Sequence, residues 1–305
     1  MQRRAAGHHT ARMDVRINRI GETRDLLGES PCWDEQAKAV CWIDALAGTL
    51  WRLYPAQARL ERHLLPAPVG AIAPCQSDAV VAALRNSFAR YDFETRALEV
   101  LAYIPVDHPD VRFNDGKCDP FGNFLAGTMH LNRRPGERVR GGLYRLRPNC
   151  TVEQLAGDIG FANGPCFSPD ASTLYLADSL ERKVWAYDYH PDKPLGNKRL
   201  FVDTQRFDSG PDGATVDVEG FYWTVLTRAA ALARFSPRGE LERLLPLPAT
   251  YPTSLCFGGP GFAQAFVTSI SRSTRLEGTR PDDGGIFLID GLPAAGRTVD
   301  RFADR

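Results

Sequence analysis

The sequence predicts an all-β fold, and two observations narrow it to a six-bladed β-propeller closed by an N-terminal strand in the last blade. Two sets of six short repeats interleave along the chain in a fixed order, and amphipathic helical periodicity is nearly absent. One repeat is a short apolar strand that ends near an aromatic residue or Leu and then Asp or Pro. It occurs as LWRLYP from Leu50, FARYDF from Phe88, LYRLRP from Leu143, VWAYDY from Val184, LARFSP from Leu232 and IFLIDG from Ile286. Ahead of each copy sits a turn followed by a buried-type strand. These are WDEQAKAVCWID from Trp33, CQSDAVVAAL from Cys75, DPFGNFLAGT from Asp119, SPDASTLYLAD from Ser168, DVEGFYWTVL from Asp217 and GGPGFAQAFVTS from Gly258. The turns carry Asp, Gly, Pro or Ser, as tight hairpins require. The strands favour Val, Ile, Leu, Tyr, Phe and Trp. Several strands per unit, recurring about every 40 to 55 residues, is the signature of propeller blades. A ring of blades must also close. Asp14 to Ile20 (DVRINRI) alternates polar and apolar ahead of the first repeat, which suits a strand pairing the open edge of the last blade.

Composition agrees. The chain has 305 residues, enough for one large domain, with 27 Gly and 22 Pro that suit many short strands. Residues 13–305 are expected to form the single propeller and residues 1–12 a loose leader, with Met13 as an alternative start. MQRRAAGHHT is basic but has no apolar stretch behind it, so it does not read as a secretory signal. Lys and Arg total 37 and balance 37 Asp and Glu, which leaves no broad footprint for nucleic acid or an acidic membrane. No run approaches the apolar length of a membrane span. Seven cysteines without a CxxC pair suit a reduced, cytoplasmic protein and read as small buried hydrophobes. No obligate protein partner is evident.

The polar residues just ahead of the second-strand units are the candidates for function. Glu29 lies in LLGESPCWD, Arg112, Asn114 and Asp115 in VRFNDGKCDPFG, Asn163 in FANGPCFSPD and Asp212 in GPDGATVDVEG. Taken singly, each reads as an ordinary loop or turn residue, because Asn-Gly, Asn-Asp-Gly and Pro-Asp-Gly are turn sequences. Taken together, Glu29, Asn114, Asn163 and Asp212 occupy similar places in different repeats, and a radial fold brings such places to one axis. Two carboxylates and two amides offer oxygen donors to a hard dication such as Ca²⁺, Mg²⁺ or Mn²⁺. His8, His9, His63, His108 and His190 show no metal-ligand spacing and read as surface residues.

The blocks LGESPCWD, RFNDGKCDPFGNFLAGTM, NGPCFSPD, LYLADS, PDGATVDVEGFYW, PTSLCFGGPG and FVTS resemble the senescence marker protein/gluconolactonase/luciferin-regenerating family over nearly the whole chain, from about Leu27 to Ile289. The resemblance implies a six-bladed propeller with one divalent metal in its channel, Ca²⁺ first, with Zn²⁺, Mn²⁺ or Mg²⁺ as alternatives. It implies Glu29, Asn163 and Asp212 as metal ligands, Asp212 also as catalytic base or water-orienting group, and Arg112 and Asn114 as contacts to substrate hydroxyls. Two departures stand out. Where some members carry an acidic substrate contact after GTM, this chain has His130, Leu131 and Asn132, and His130 is taken either as a substrate contact or as a rim residue. Ala229 and Ala230 replace a Gly-Gly, which could reshape a channel wall or a tight strand crossing.

The implied activity is metal-dependent opening of a sugar lactone. A non-enzymatic calcium-binding or regulatory role and a phosphotriesterase-type hydrolase are the alternatives. Arg112 with Asn114 favours a hydroxylated substrate, since buried polar groups need partners.

Overall fold

The computed structural model describes residues 14–106 and 108–304; the expected leader lies outside them. The first strand, β1 (Arg16–Ile20), precedes six blades of four antiparallel strands. Blade one holds β2 (Gly28–Asp34), β3 (Ala39–Asp44), β4 (Thr49–Tyr54) and β5 (Arg59–Leu64). Blade two holds β6 (Ala71–Pro74), β7 (Ala79–Ala83), β8 (Ser87–Asp92) and β9 (Leu98–Tyr103). Blade three holds β10 (Val111–Cys118), β11 (Phe124–His130), β12 (Gly141–Leu146) and β13 (Val152–Ile159). Blade four holds β14 (Ala162–Phe167), β15 (Thr173–Asp178), β16 (Lys183–Asp188) and β17 (Gly196–Asp203). Blade five holds β18 (Pro211–Val216), β19 (Tyr222–Leu226), β20 (Ala231–Phe235) and β21 (Leu241–Pro246). Blade six holds β22 (Pro252–Gly258), β23 (Gln264–Ser269) and β24 (Ile286–Asp290), completed by β1, which pairs β24 from Arg16 opposite Asp290 to Ile20 opposite Ile286.

The two repeat sets are the second and third strands of each blade. Blades stack face to face, so these strands are covered on both sides and read as continuous apolar runs, as in β3 (AVCWID, all buried). The outermost strands meet solvent and alternate, as in β21 (LERLLP). Burial is divided among six clusters, one at each blade interface. Phe88, Phe113 and Phe124 pack between blades two and three, and Trp223, Phe257 and Phe287 between blades five and six. The repeated Asp residues hold the turns. Asp34, Asp119 and Asp217 each accept backbone N–H groups from the hairpin that follows, with N–H···O distances of 2.8 to 3.3 Å. Asp217 also accepts from the Trp223 indole at 2.8 Å and from Arg234 at 2.7 Å.

The innermost strands β2, β6, β10, β14, β18 and β22 surround the axis. Five of them carry an extra residue against the second strand, at Glu29/Cys32, Phe113/Asp115, Asn163/Cys166, Pro211/Ala214 and Pro252/Leu255. These bulges contain the turn-like sequences. Asn-Asp-Gly, Asn-Gly and Pro-Asp-Gly are therefore kinks inside strands rather than hairpin ends. A bulge re-aims a side chain that would otherwise follow the strand's alternation.

Glycine is needed where these kinks approach one another. Gly164 has φ +52°, and a Cβ there would come within 2.6 Å of the Ala214 Cβ. A Cβ on Gly213 would come within 2.6 Å of the Ser254 Cα. Gly213→Ala is expected to lower stability by about 1–3 kcal/mol through overpacking. Gly196→Ala, whose nearest neighbour would be at 3.6 Å, should change it by less than about 0.5 kcal/mol. Thermal unfolding of the two variants checks the contrast, and equal melting shifts would overturn it.

The C-terminal segment crosses the far end of the channel. Arg297, Thr298, Val299 and Asp300 line a cavity of about 80 Å³ with Cys32, Cys118, Cys166 and Cys256. Phe302 is buried against blades two and three, and Asp304 pairs with Arg90 at 2.7 Å. Six cysteines are buried as expected, but Cys150 is exposed in a turn. His63 is not a surface residue. It is buried, and its Nδ1 lies 3.0 Å from the Tyr91 hydroxyl. Ala229 and Ala230 lie in the β19–β20 hairpin turn and not on the channel wall: Ala230 takes φ +50°, and its N–H reaches the Thr227 carbonyl at 3.3 Å. No helix among the described residues is long and apolar enough to cross a membrane.

Candidate metal and substrate site at the channel mouth

At the end of the channel where the innermost strands begin, a cavity of about 350 Å³ is lined by Glu29, Arg112, Asn114, Asn163 and Asp212. They come from four blades. Glu29, Asn163 and Asp212 each sit on the second residue of an innermost strand, β2, β14 and β18, and Arg112 on the second residue of β10. The bulges described above bring their side chains to the axis.

A relay of hydrogen bonds fixes the two amides. Asn114 Nδ2 donates to the Asn163 Oδ1 at 2.6 Å and to the Ala162 carbonyl at 3.0 Å. Both its N–H groups are thereby used, which leaves the Asn114 Oδ1 for the cavity. Asn163 Nδ2 donates to the Ser179 hydroxyl at 2.8 Å, so its Oδ1 keeps one lone pair beyond the bond from Asn114. On the other side, the Thr227 hydroxyl donates to Asp212 Oδ2 at 2.8 Å, and the Gly213 N–H also bonds the carboxylate, so the two together orient it. Ser179 and Thr227 each directly follow a second strand. That shared place is their signal in the sequence.

A third carboxylate lies beneath. Asp115 is buried and accepts from the Gly116 N–H and the Gly164 N–H, each at 2.7 Å. Three carboxyl groups thus converge, with the Arg112 charge facing Glu29 and the Lys117 charge facing Asp115. Burial is the main force raising the Glu29 carboxyl well above its ordinary range, followed by the charges of Asp212 and Asp115. Burial pushes Asp212 up to about 7, with Asp115 adding to the rise and the Thr227 hydrogen bond opposing it. Burial also raises Asp115, against the hydrogen bonds from Gly164 and Gly116. Arg112 is brought down to about 10 by burial, with the Glu29 charge opposing. Its hydrogen bond within the protein runs from Nη1 to the Phe113 carbonyl at 2.7 Å.

Crowded carboxylates with oxygen-only neighbours fit a hard dication. Glu29, Asn163 and Asp212 can each present an oxygen, and a bound cation would offset the burial and the neighbouring negative charges that raise Glu29 and Asp212.

Long loops form the rim. The β23–β24 connection supplies Ser273, Thr274, Arg275 and Leu276. Arg275 Nη2 donates to the Leu131 carbonyl, and its guanidinium lies 5.2 Å from the Phe161 ring centre. Blade six therefore reaches across the mouth to blades three and four. Arg182 and Arg228 also line the cavity.

His130 departs from the expectation of a substrate contact. It ends β11 with its side chain fully buried, and it is not part of the cavity lining. Strand alternation explains this, because Met129 and Leu131 on either side of it do line the cavity. His108, expected on the surface, is half-buried with its ring 4.8 Å from that of His130.

Residues 27–271 match the family described as the SMP-30/Gluconolactonase/LRE-like region, a span that contains every cavity-lining residue except the rim loop from Ser273 onward. The chain belongs to this family. Within it, the chain is 35% identical to regucalcin of Xenopus laevis over 285 residues, covering 91% of this chain and 95% of that one. A luciferin-regenerating enzyme superposes with a TM-score of 0.88 at 25% identity, over 95% of this chain and 99% of that one. A calcium-binding protein, regucalcin from Agrobacterium tumefaciens, superposes with a TM-score of 0.84 at 28% identity, over 93% and 96%.

Proposed function

We propose that this protein is a divalent-metal-dependent hydrolase that opens a sugar lactone to its aldonic acid. The observation that carries the reading is one cavity in which Glu29, Asn163 and Asp212 present oxygens beside Arg112 and Asn114. Membership of a family that includes gluconolactonases supports it.

Ca²⁺ is the favoured ion, because the donors are all oxygen and a related regucalcin binds calcium; Mn²⁺, Mg²⁺ and Zn²⁺ are the alternatives. When bound, the dication supplies polarisation of the lactone carbonyl and charge stabilisation of the oxyanion. The protein's own groups do the rest. Asp212 Oδ1 accepts a proton from the attacking water while Thr227 holds the other carboxylate oxygen. The same proton then passes to the ring oxygen as the ester bond breaks. The guanidinium of Arg112 donates to ring hydroxyls, and the Asn114 Oδ1 accepts from one. This donor–acceptor pair favours a polyhydroxylated ring over a phosphotriester.

The partner is a small molecule. The balanced charge supports neither nucleic acid nor membrane binding, and seven free cysteines support a cytoplasmic location. The calcium-binding character of the related regucalcin favours a second reading, in which the metal is held for regulation without turnover.

A pH-indicator screen of five- and six-membered aldonolactones with each dication separates the two readings. Metal-dependent acid release supports the lactonase; tight metal binding without turnover of any lactone supports the regulator. Arg112→Ala is expected to lower kcat/KM on the best lactone roughly 10- to 100-fold, the loss of a charge-assisted hydrogen bond. Metal affinity should hold or rise, because a positive charge facing Glu29 is removed. Metal titration alongside steady-state kinetics checks both, and an unchanged kcat/KM would remove Arg112 from the site.

A further inference from the structure

Behind the cavity wall, three side chains form a second cluster that the channel chemistry does not use. His130 ends β11, His108 lies in the loop before β10, and Glu137 lies in the loop between β11 and β12. Glu137 Oε1 stands 3.4 Å from His108 Nε2 and 3.7 Å from His130 Nε2, and the three donor atoms lie within 4.8 Å of one another. The His130 side chain is fully buried, and neither ring nitrogen has a hydrogen-bond partner. A buried imidazole without a partner calls for one.

Two of the three donor spacings suit tetrahedral coordination. Donors about 2.1 Å from an ion at tetrahedral angles are separated by about 3.4 Å, close to the two contacts to Glu137. Two imidazoles and one carboxylate suit zinc and not a hard alkaline-earth ion. Neighbouring bonds already hold the carboxylate. Glu137 Oε2 accepts the Arg134 N–H at 3.0 Å, which turns Oε1 toward the imidazoles. Arg140 approaches Oε1 at 4.0 Å and balances its charge in the absence of an ion.

We propose that His108, His130 and Glu137 bind a zinc-type transition-metal ion at a site separate from the channel. The ion fastens the β11–β12 loop to the end of β11 and to the segment ahead of β10. Its effect reaches the rim, because Leu131 lines the cavity and its carbonyl receives Arg275 from blade six. Coordination through His108 Nε2 places the ring hydrogen on Nδ1, so His108 exchanges its 3.2 Å contact with the Asp110 N–H for the metal bond. His130 supplies Nε2 and needs no such exchange.

The test uses the full chain carrying Glu29→Gln and Asp212→Asn, so that the channel donors are disabled. Metal-stripped protein is titrated with Zn²⁺ against a chromophoric chelator, and with Co²⁺ read by its visible absorption. One equivalent of Zn²⁺ and an intense, tetrahedral-type Co²⁺ spectrum are expected. Adding His108→Gln or Glu137→Gln, both outside the buried core, should weaken Zn²⁺ binding at least 10-fold and abolish that spectrum while circular dichroism stays unchanged. His130→Ala should do the same, and the two other variants keep the test valid if it fails to fold. No Zn²⁺ binding in the channel-disabled chain, or binding unaffected by both His108→Gln and Glu137→Gln, would overturn the site.

Discussion

Asp212→Asn is expected to collapse turnover even at saturating metal. The amide keeps the shape and one carbonyl oxygen, and the Thr227 hydroxyl at 2.8 Å can still donate to it. Two properties are lost. The site then opposes a dication with one fewer charge, so metal affinity falls. The amide also cannot accept a proton from water, and general-base loss costs on the order of 10² to 10⁴ in rate. The decisive measurement is kcat at a metal concentration shown to saturate the variant. Recovery to the wild-type value there would make Asp212 a ligand only. Unchanged metal affinity as well would remove it from the site. Stability should move the other way. Without metal, Asp212 is a carboxylate raised by burial and by its neighbour Asp115. Neutralising it relieves that repulsion, so the metal-free variant should melt no lower than metal-free wild type. An activity loss coupled to equal or better stability cannot come from misfolding.

Chelation is expected to abolish turnover and leave the propeller folded. The cavity ligands stand on strand bulges around an axis, while the hydrophobic clusters lie between blades and do not include them. Far-UV circular dichroism should therefore persist in EDTA. The melting temperature should fall, because an ion at about 100 times its Kd stabilises the native state by about 2.7 kcal/mol. Activity should return on adding back the ion that the lactone screen identifies. Full activity in protein verified to be metal-free would end the metal-dependent reading.

Much of this was legible in the sequence because a propeller repeats its instructions. Each blade needs one doubly covered hairpin, so LYLAD and WTVL look alike although nothing joins them locally. The place of Glu29, Asn163 and Asp212 within their repeats carried the site for the same reason. Apart from Ser179 and Thr227, what the sequence does not disclose has no repeat behind it. Asp115 looked like part of a turn because Asn-Asp-Gly is one elsewhere; here the glycine permits close packing against β11, where a Cβ would come within 2.7 Å of the Leu125 carbonyl. The contact of Arg275 with Leu131 joins loops of different blades and leaves no trace in spacing. His108, His130 and Glu137 meet through a strand end and two loops, so their intervals match no helical or hairpin ligand pattern. His130 points away from the cavity because strand alternation gives the cavity to its neighbours Met129 and Leu131.

Closure through β1 has a consequence for biosynthesis. β1 leaves the ribosome about 270 residues ahead of its partner β24, which begins at Ile286. At about 5–20 residues per second, the strand waits on the order of 15 to 50 seconds with both edges unpaired. Its sequence suits that wait. Arg16 and Arg19 in RINRI place two positive charges on a five-residue strand, which discourages premature pairing with other nascent chains. The first five blades can stack as they emerge, but the circle stays open until β24 has been made. A ribosome stalled before Ile286 would hold five finished blades and a sixth that lacks both of its outer strands, and such a chain should be readily captured by chaperones that bind exposed strand edges.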